Sequence, residues 1–255
     1  MKMIDTNQAF YDSRWAGTSE ITKRDRNRVA STIDMVPEDV RSILDVGAGN
    51  GYLSNELLAR GKSVVAVDIS EVALAKVKAP SLRLSADNLE GIQDQSYDLV
   101  LCTEMLEHLD EATYVGALQE FNRVAQSAIL ITVPNQENPL ENTTACGDCG
   151  HRYHLWSHLR RFTPSDLGSL FPDFRAVSIS AFGDNLRRYN PLLLWVRTRL
   201  ANGWAVNDGS PCPQCNSSRT APPDRPGLAR FCNLVNANLP HLPYKPWLIA
   251  LYRRR

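Results

Sequence analysis

Short, continuous apolar segments alternate with helical patterns over residues 41–133, and this alternation restricts the possible folds more than any other feature of the sequence. Continuous apolar strands separated by helices indicate a parallel sheet with helices on both faces. We therefore predict an α/β fold with a doubly wound, mostly parallel sheet of seven strands. The predicted strands are residues 41–46, 63–67, 82–85, 97–103, 128–133, 174–181 and 247–252. The predicted helices are residues 25–36, 51–60, 71–78, 111–124, a short helix from 163, and 191–200.

The same pattern divides the chain into four parts. Residues 1–40 form an N-terminal helical lead. Residues 41–182 form the core domain, and residues 247–255 supply its final strand. Residues 183–246 are rich in Pro, Asn and Arg and are too long for an ordinary connection, which predicts an insertion.

Composition excludes a disordered chain, since 43% of the residues are hydrophobic and can supply a core. The segment 1–12 has no apolar run, so we expect no signal peptide. The longest apolar stretches, near residues 192–196 and 247–252, are too short to span a bilayer. A soluble, cytoplasmic protein with no membrane span is therefore expected.

Charge is distributed unevenly although the formal net charge is +0. Residues 1–140 carry 13 Lys/Arg and 21 Asp/Glu, whereas residues 141–255 carry 15 and 7. Almost all cations of the second half are Arg, whose planar fork suits phosphate or carboxylate. The pattern favours either a small anionic substrate or an intramolecular contact between a basic segment and an acidic domain.

A glycine-rich sequence, Ile43-Leu-Asp-Val-Gly-Ala-Gly-Asn-Gly-Tyr-Leu53, joins the first predicted strand to its helix. Glycine lets the backbone approach a ligand closely. Such a turn also occurs in dinucleotide-binding proteins, but the Gly-x-Gly-x-Gly spacing differs from theirs. Asp45 precedes the turn, where it can meet a cationic amine. Asp68 ends the second strand, where it can accept hydrogen bonds from both hydroxyls of a ribose.

With these residues the chain resembles the class I S-adenosylmethionine (SAM)-dependent methyltransferases, over residues 10–182 and the final strand. The resemblance implies a Rossmann-like sheet whose last strand is antiparallel, a SAM-binding core and an enzyme that methylates its substrate. It implies that the turn holds the methionine part of SAM, Asp68 the ribose and Asp87 the adenine amine, and that the N-terminal lead, residues 1–40, closes over the bound cofactor. The cofactor-binding residues that it implies are Tyr11, Asp45, Gly47, Ala48, Gly49, Gly51, Tyr52, Asp68, Ile69, Asp87, Asn88, Leu89, Thr103 and Glu104.

After the fourth strand comes Thr103-Glu-Met-Leu-Glu-His-Leu109. On a helical turn, Glu104, Glu107 and His108 would share one face and could hold a divalent cation. The stretch resembles one in the ubiquinone-biosynthesis O-methyltransferases. It also resembles the small-RNA 2′-O-methyltransferases, and that resemblance implies a metal site of Glu104, Glu107, His108 and His158. Alternatively, His108 removes a proton from the acceptor, or Glu107 is a charge at a helix start without metal.

These alternatives lead to three functions. The first is methylation of a hydroxyl group on a small acceptor, because methyl transfer needs a positioned acceptor that loses a proton. The second is RNA 2′-O-methylation with the four-residue metal site. The third is an inactive scaffold with this fold, although a scaffold would not need Asp68 or Asp87.

Two Cys-x-x-Cys pairs, Cys146/Cys149 and Cys212/Cys215, stand apart from the remaining cysteines, Cys102 and Cys232. In a chain without a signal peptide, such pairs indicate metal ligands or redox motifs more readily than structural disulfides. Four thiolates form a closed tetrahedral zinc site, which is structural rather than catalytic. We expect one zinc ion that joins the insertion to the loop after the fifth strand.

The segment 150–161 interleaves aromatic and basic residues. It could stack on a base while Arg152, Arg160 and Arg161 hold phosphate, which leaves nucleic acid as a less favoured partner than a small molecule. The alternative is a solvated loop that packs on the zinc site.

Overall fold

The computed structural model describes Asp12, Trp15, residues 22–207 and residues 209–255. Tyr11 and much of the predicted N-terminal lead lie outside the described residues. The strands are β1 (Ser42–Val46), β2 (Ser63–Asp68), β3 (Ser81–Arg83), β4 (Tyr97–Thr103), β5 (Ala125–Pro134), β6 (Thr143–Ala145), β7 (Arg152–His154), β8 (Phe174–Phe182) and β9 (Trp247–Arg254). The α-helices are α1 (Lys23–Asp34), α2 (Tyr52–Ala59), α3 (Glu71–Leu74), α4 (Glu111–Val124), α5 (Pro191–Arg199) and α6 (Pro226–Asn238). Short 3₁₀ helices lie at Leu106–His108, Pro139–Asn142 and Asp166–Ser169.

The chain forms two compact units. The first contains Met1–Asn135, Phe162–Asp184 and Pro246–Arg255, and the second contains Gln136–Arg161 and Asn185–Lys245. The second unit thus consists of two chain segments. The domain boundaries inferred from the sequence assign residues 136–161 to the core instead, and those boundaries stay a prediction.

The first unit is built on a seven-stranded sheet with the order β3-β2-β1-β4-β5-β9-β8. Neighbouring strands from β3 to β5 are parallel, and β9 runs antiparallel to both β5 and β8. The predicted α/β fold, with seven strands and an antiparallel last strand, is confirmed.

Both faces of this sheet are buried, as β1 illustrates. Ile43 and Leu44 are neighbours in the strand and have no exposed surface, yet they belong to different hydrophobic clusters. Successive side chains of a strand point to opposite faces, so each cluster fills one side of the sheet. Phe121 of α4 packs in the cluster of Leu44, and Leu57 of α2 packs in that of Ile43. Truncating one such side chain to Ala costs about 2–5 kcal/mol of stability.

One predicted helix of this unit is wrong in length. The expected helix over residues 71–78 ends at Leu74, and the next residues form a tighter turn in which Val77 donates to the Leu74 carbonyl at 3.0 Å. The backbone amide of Lys78 donates to the Asn55 side chain at 2.7 Å. In a continuing helix, the amide of Lys78 would instead donate to the carbonyl of Leu74.

The second unit contains the antiparallel pair β6–β7 and the packed helices α5 and α6. The sequence predicted only one helix between residues 183 and 246, so α6 is a correction. This helix begins at Pro226, a residue preferred at the first helical position, and it buries Ala229 and Cys232. A smaller hydrophobic cluster of the unit contains Cys146, Tyr153, Leu155 and Cys212.

Within the part of the chain that the structure describes, no helix has both the length and the apolar composition that a bilayer crossing requires.

Candidate active site

The strand order changes direction between β1 and β4, since β2 and β3 lie beyond β1 and β5 lies beyond β4. In open α/β sheets, ligands bind at the carboxyl ends of the strands beside such a point. Gly47 follows β1 directly, Glu104 follows β4 directly, and Asp68 is the last residue of β2. Three of the predicted cofactor-binding residues therefore meet at one edge of the sheet.

The predicted glycine-rich turn has a backbone that favours glycine. Gly47, Gly49 and Gly51 have φ angles of 76°, 54° and 72°, which lie in the left-handed region. The backbone amides of Gly47 and Ala48 both donate to the carbonyl of Val67, at 2.8 and 3.0 Å. These bonds fix the turn to the end of β2.

Neighbouring side chains lie so close to the turn that it has no room for Cβ atoms. A Cβ built on Gly49 would lie 2.5 Å from the ring of Trp15, and one on Gly51 would lie 2.6 Å from Val77. Tyr52 then begins α2. These close contacts require residues without a Cβ at Gly49 and Gly51.

Asp45 lies in β1 and is almost fully buried, with 1% of its surface exposed. Its Oδ2 accepts a 2.5 Å hydrogen bond from the Ser54 hydroxyl. Burial raises the pKa of Asp45 to about 6, because the hydrogen bond from Ser54 does not compensate for lost solvent and the charge of Asp68 adds to the effect. A cation placed here would favour the ionised carboxylate.

Asp68 holds the turn and the start of α3 together. Its Oδ2 accepts from the backbone amide of Gly49 at 2.8 Å, and its Oδ1 accepts from that of Ser70 at 2.9 Å. Burial raises the pKa of Asp68 although these hydrogen bonds oppose the shift. Ile69, between the two bonded segments, accepts from the Arg83 side chain at 3.3 Å through its carbonyl.

The loop with Asp87, Asn88 and Leu89 packs against α4. Leu89 is fully buried, and its backbone amide donates to Glu120 Oε2 at 2.8 Å. A Cβ on Gly116 would lie 2.6 Å from the Cβ of Asp87, so the loop packs against α4 at a position where only glycine fits. Sequence reasoning missed Glu120 and Gly116, because nothing marks them within an ordinary amphipathic helix.

Arg123 fixes the other end of this loop. Its guanidinium donates to Glu120, to Asp94 at 2.8 Å and to the carbonyl of Ile92 at 2.7 Å. The hydrogen bonds with Arg123 outweigh partial burial and hold the pKa of Glu120 below its usual range. The Asp87 loop is therefore held by charged groups of α4.

Glu104 does not lie on a helical turn with Glu107 and His108, so the predicted shared face is wrong. It follows β4 with a φ angle of 53°, and its backbone amide donates to the carbonyl of Thr132 at 2.9 Å. Its Oε1 accepts from the Thr132 hydroxyl at 3.1 Å. The backbone bond continues the pairing of β4 with β5 by one residue beyond Thr103 and prevents a helical start. Among the described residues, Glu104 belongs to none of the groups that could hold a metal ion.

Glu107 and His108 lie together in the 3₁₀ helix Leu106–His108. Glu107 is 1% exposed, and His108 Nε2 lies 3.9 Å from Glu107 Oε1. A buried carboxylate beside an imidazole can support proton transfer or bind a cation.

In the second unit, the four paired cysteines converge. Cys146 Sγ lies 3.5 Å from Cys215 Sγ, Cys149 Sγ lies 3.7 Å from Cys212 Sγ, and all four sulfur atoms lie within 4.8 Å of one another. Hydrogen bonds from the backbone amides of Cys149 and Asp148 lower the pKa of Cys146 to about 6. The cysteines remain free thiols rather than disulfides.

The two cysteine turns have the same backbone geometry. The amide of Cys146 donates to the carbonyl of His151 and that of Cys212 to Ser217, both at 2.8 Å. The residues after the second cysteines, Gly150 and Asn216, have φ angles of 74° and 62° and donate back to the first cysteine of their turn. Each turn thus directs two sulfur atoms to one side.

His158 also lies in the second unit, where its Nδ1 is 2.5 Å from Glu137 Oε2. His154 Nε2 approaches the other oxygen of Glu137 at 3.3 Å. Burial would raise the pKa of Glu137, but the hydrogen bonds from His154 and His158 outweigh it and hold the pKa below its usual range. Sequence reasoning missed Glu137, since an isolated loop glutamate carries no pattern.

Arg152, one of the arginines of this segment, has a partner within its own unit. The guanidinium of Arg152 lies 4.5 Å from the ring centroid of Trp204. Such stacking stabilises the loop and uses the aromatic face that a nucleic-acid base would need.

Comparison with protein families gives a match to a methyltransferase domain over residues 44–130. A ubiquinone biosynthesis O-methyltransferase of Pseudomonas paraeruginosa is 30% identical over 184 residues, which cover 66% of this chain and 75% of that enzyme. The enzyme of the same name from Nitrosomonas europaea is 33% identical over 96 residues, but the match covers only 40% of its length.

Among solved structures, a SAM-dependent methyltransferase from Archaeoglobus fulgidus has a TM-score of 0.57 and 17% identity, with 96% of this chain and 98% of that chain covered. Magnesium protoporphyrin IX methyltransferase from Synechocystis with bound SAM has a TM-score of 0.52 and 12% identity, with both chains fully covered at 100%. At these identities the likeness concerns the fold.

Proposed function

Because this chain belongs to the class I SAM-dependent methyltransferases, we propose that it methylates a hydroxyl group of a small, anionic acceptor. The products are S-adenosylhomocysteine and the methyl ether. Support for oxygen as the acceptor atom comes from the relatives, which carry the name O-methyltransferase. Support for an anionic acceptor comes from the arginine-rich second half of the sequence.

The observation that carries the proposal is the edge of the sheet where Asp45, Asp68 and the glycine-rich turn meet. We assign the carboxylate of Asp45 to the amine of SAM and that of Asp68 to the two ribose hydroxyls. Asp68 already accepts two backbone hydrogen bonds on separate oxygens, and each oxygen has a second lone pair for a ribose hydroxyl. We assign the turn at Gly47 and Gly49 to the methionine part of SAM.

The Asp87 loop is assigned to the adenine. Asp87 would accept a hydrogen bond from the adenine amine, and Leu89 would supply an apolar neighbour. Thr103 and Glu104 would line the methionine side. Tyr11 completes the assigned set as a residue that closes over the cofactor. The arginine-braced packing of this loop on α4 supports a preformed adenine site.

SAM, when bound, supplies a methyl group on a sulfonium and is already activated, so the protein mainly positions the acceptor. A hydroxyl acceptor also loses a proton, which an imidazole can take. We assign Glu104, Glu107, His108 and His158 to positioning and deprotonating the acceptor. The buried Glu107 beside His108 supports this role, because a carboxylate orients an imidazole and stabilises its charged form.

We further propose that Cys146, Cys149, Cys212 and Cys215 bind one structural zinc ion. Zinc–sulfur bonds of about 2.3 Å in a tetrahedron place sulfur atoms roughly 3.8 Å apart. The separations of 3.5 and 3.7 Å agree with that value. The matching backbone bonds of the two turns support a metal site rather than a redox pair, because all four sulfur atoms are directed to one point. Neither turn opens a helix, as a redox Cys-x-x-Cys turn would.

The function is tested by incubating the full chain with methyl-labelled SAM and a small-molecule extract of host cells. We expect label in a small product that is stable to alkali, as an ether is and a methyl ester is not. Asp68→Asn, which should bind SAM more weakly, should transfer much less label than the unmodified chain. Asp34→Asn, which alters an exposed residue at the end of α1, should transfer as much as the unmodified chain. Label that enters only added RNA would contradict the small acceptor, and bound SAM without any transfer would contradict the enzyme.

A further inference from the structure

Helix α5 exposes a face that carries large apolar side chains and an arginine. The helix buries Leu194 and Thr198. Leu192, Trp195 and Arg199 follow one another at intervals of three and four residues, which places them together on a different side of the helix. Leu192 is 69% exposed and Trp195 is 49% exposed, so an apolar face of α5 is open to solvent.

Helix α6 is organised in the same way. It buries Ala229 and Cys232, whereas Phe231 is 58% exposed and Leu234 is 64% exposed. The two exposed residues are three positions apart and are therefore neighbours on one face of the helix. Arg230, next to Phe231 in the sequence, is also exposed. Helix α6 thus exposes apolar side chains together with a cation, as α5 does.

The two helices are joined through Asn233 of α6. Its side-chain oxygen accepts hydrogen bonds from the Tyr189 hydroxyl at 2.8 Å and from the guanidinium of Arg197, a residue of α5, at 3.3 Å. The exposed faces therefore belong to one packed pair of helices. The apolar–basic faces of this pair consist of Leu192, Trp195, Arg199, Arg230, Phe231 and Leu234.

The part of the chain that contains both helices is strongly basic. Residues 185–245 include 8 Lys/Arg and 2 Asp/Glu, and neither helix contains an acidic residue. Arg199 and Arg230 are exposed, and neither forms an ion pair with another described residue. A surface with this charge attracts an anionic partner.

The apolar side chains decide which anionic partner fits. Nucleic acids bind through phosphate contacts and base stacking, from which exposed leucines gain little. A second copy of this chain would bring like charges together, which is unfavourable. At an anionic lipid surface, by contrast, apolar side chains enter the acyl boundary, tryptophan lies at the level of the head groups and arginine pairs with phosphate.

We propose that the apolar–basic faces of α5 and α6 dock this protein on the surface of a membrane that contains anionic phospholipids. The helices have 9 and 13 residues, fewer than the about 20 that cross a bilayer. They therefore lie in the plane of the interface with their apolar side chains inserted. This interaction goes beyond the proposed function and does not depend on the identity of the methyl acceptor.

Vesicle binding tests the proposal. The full chain is sedimented with vesicles of phosphatidylcholine alone and with mixed vesicles of equal parts phosphatidylcholine and phosphatidylglycerol, at roughly physiological salt. Binding to the mixed vesicles should be at least about tenfold tighter, because each arginine near an anionic surface strengthens binding about fivefold. Brominated lipids should quench tryptophan fluorescence, and the quenching should decrease in Trp195→Phe because Trp195 would lie at the interface.

Variants of the apolar residues test each helix separately. Leu192→Gln/Trp195→Gln in α5 and Phe231→Gln/Leu234→Gln in α6 should each weaken binding to the mixed vesicles at least about tenfold, since the inserted apolar area is lost. All four side chains are exposed, so circular dichroism and the thermal midpoint should match those of the unmodified chain.

A further pair of variants tests the charge. Arg199→Gln/Arg230→Gln should weaken binding to the mixed vesicles about 25-fold, at about fivefold for each arginine, and should leave binding to phosphatidylcholine alone unchanged. Arg175→Gln/Val177→Gln is the matched control, because it removes one exposed arginine and one exposed apolar side chain from β8 of the first unit. It should bind both kinds of vesicle like the unmodified chain.

Four results would overturn the proposal. The mixed vesicles do not retain the unmodified chain, or the α5 and α6 variants bind them as tightly as the unmodified chain does. Sedimentation velocity shows a dimer that is lost in the α5 variant, which would identify a second copy as the occupant. Single-stranded RNA displaces the unmodified chain from the vesicles and loses affinity for the same variants, which would identify nucleic acid as the partner.

Discussion

The backbone amide of Gly49 donates a 2.8 Å hydrogen bond to Oδ2 of Asp68. This bond joins the turn after β1 to the end of β2, so one carboxylate organises two segments that we assign to different parts of SAM. The other oxygen, Oδ1, is bonded to the amide of Ser70 at 2.9 Å. A change at Asp68 should therefore affect both the direct contact to ribose and the shape of the turn.

Asp68→Asn should weaken SAM binding by about 100-fold or more, since hydrogen bonds to a charged group contribute roughly 1.5–3 kcal/mol each. Isothermal calorimetry with SAM measures the loss. Asp34→Asn serves as the control and should bind like the unmodified chain. Equal SAM affinity in Asp68→Asn and the unmodified chain would contradict the ribose assignment.

SAM affinity should rise with pH through about 6, the pKa to which burial raises Asp45. The cationic amine of SAM prefers the ionised carboxylate, so binding releases a proton at lower pH. Calorimetry in buffers of different ionisation enthalpy detects this release. The dependence should be absent in Asp45→Asn, and an affinity that is constant from about pH 5 to about pH 8 would refute the contact.

The same carboxyl group should make the folded protein without SAM less stable as pH rises. Its folded pKa lies above the ordinary value of 3.8. The stabilisation from the protonated form is therefore complete below that ordinary value and is lost as pH rises through about 6. Urea unfolding at several pH values should show a smaller loss over this interval in Asp45→Asn.

Gly116→Ala should weaken SAM binding by about tenfold, which corresponds to ~1.4 kcal/mol. The added methyl group would meet Cβ of Asp87 at 2.6 Å and displace the loop assigned to adenine. Alanine favours the helix, so the helix itself should persist by circular dichroism. Gly168→Ala is the control, because no atom lies within 4 Å of its added Cβ.

Elemental analysis should find about one zinc ion per chain, and Cys212→Ser should lose it. Cys232→Ser is the matched control, since Cys232 is a buried cysteine of the same unit that lies in α6 outside the cysteine cluster. Full zinc content in Cys212→Ser would refute the four-thiolate site. Because binding energy at such a site contributes to folding, the second unit should also unfold more readily in that variant.

The sequence predicted the sheet well, because apolar strands buried on both faces leave a continuous pattern. β4 and α4 were predicted with the bounds that the structure has. The position of Asp68 at the end of β2 could also be predicted, since strand ends follow from the apolar run. The hydrogen bond from the Gly49 amide to Asp68 could not be predicted, because it depends on how two separate segments meet in space.

The predictions that were wrong involve contacts between distant segments. Glu104 was expected on a helical turn, but its backbone bond to Thr132 of β5 extends the strand pairing. The helix from Glu71 ends early because Asn55, far away in the sequence, takes an amide that the helix would use. Helix α6 was not predicted, and its short apolar face is stabilised by packing on α5.

The position of β9 between β5 and β8 imposes an order on assembly during translation. β8 leaves the ribosome well before β9 and has no strand partner in the sheet until Trp247–Arg254 has been synthesised. The whole of Asn185–Lys245 emerges in between. A nascent chain that stalls within that interval would thus expose the unpaired edge of β5, and such an edge is a substrate for chaperones and a route to aggregation.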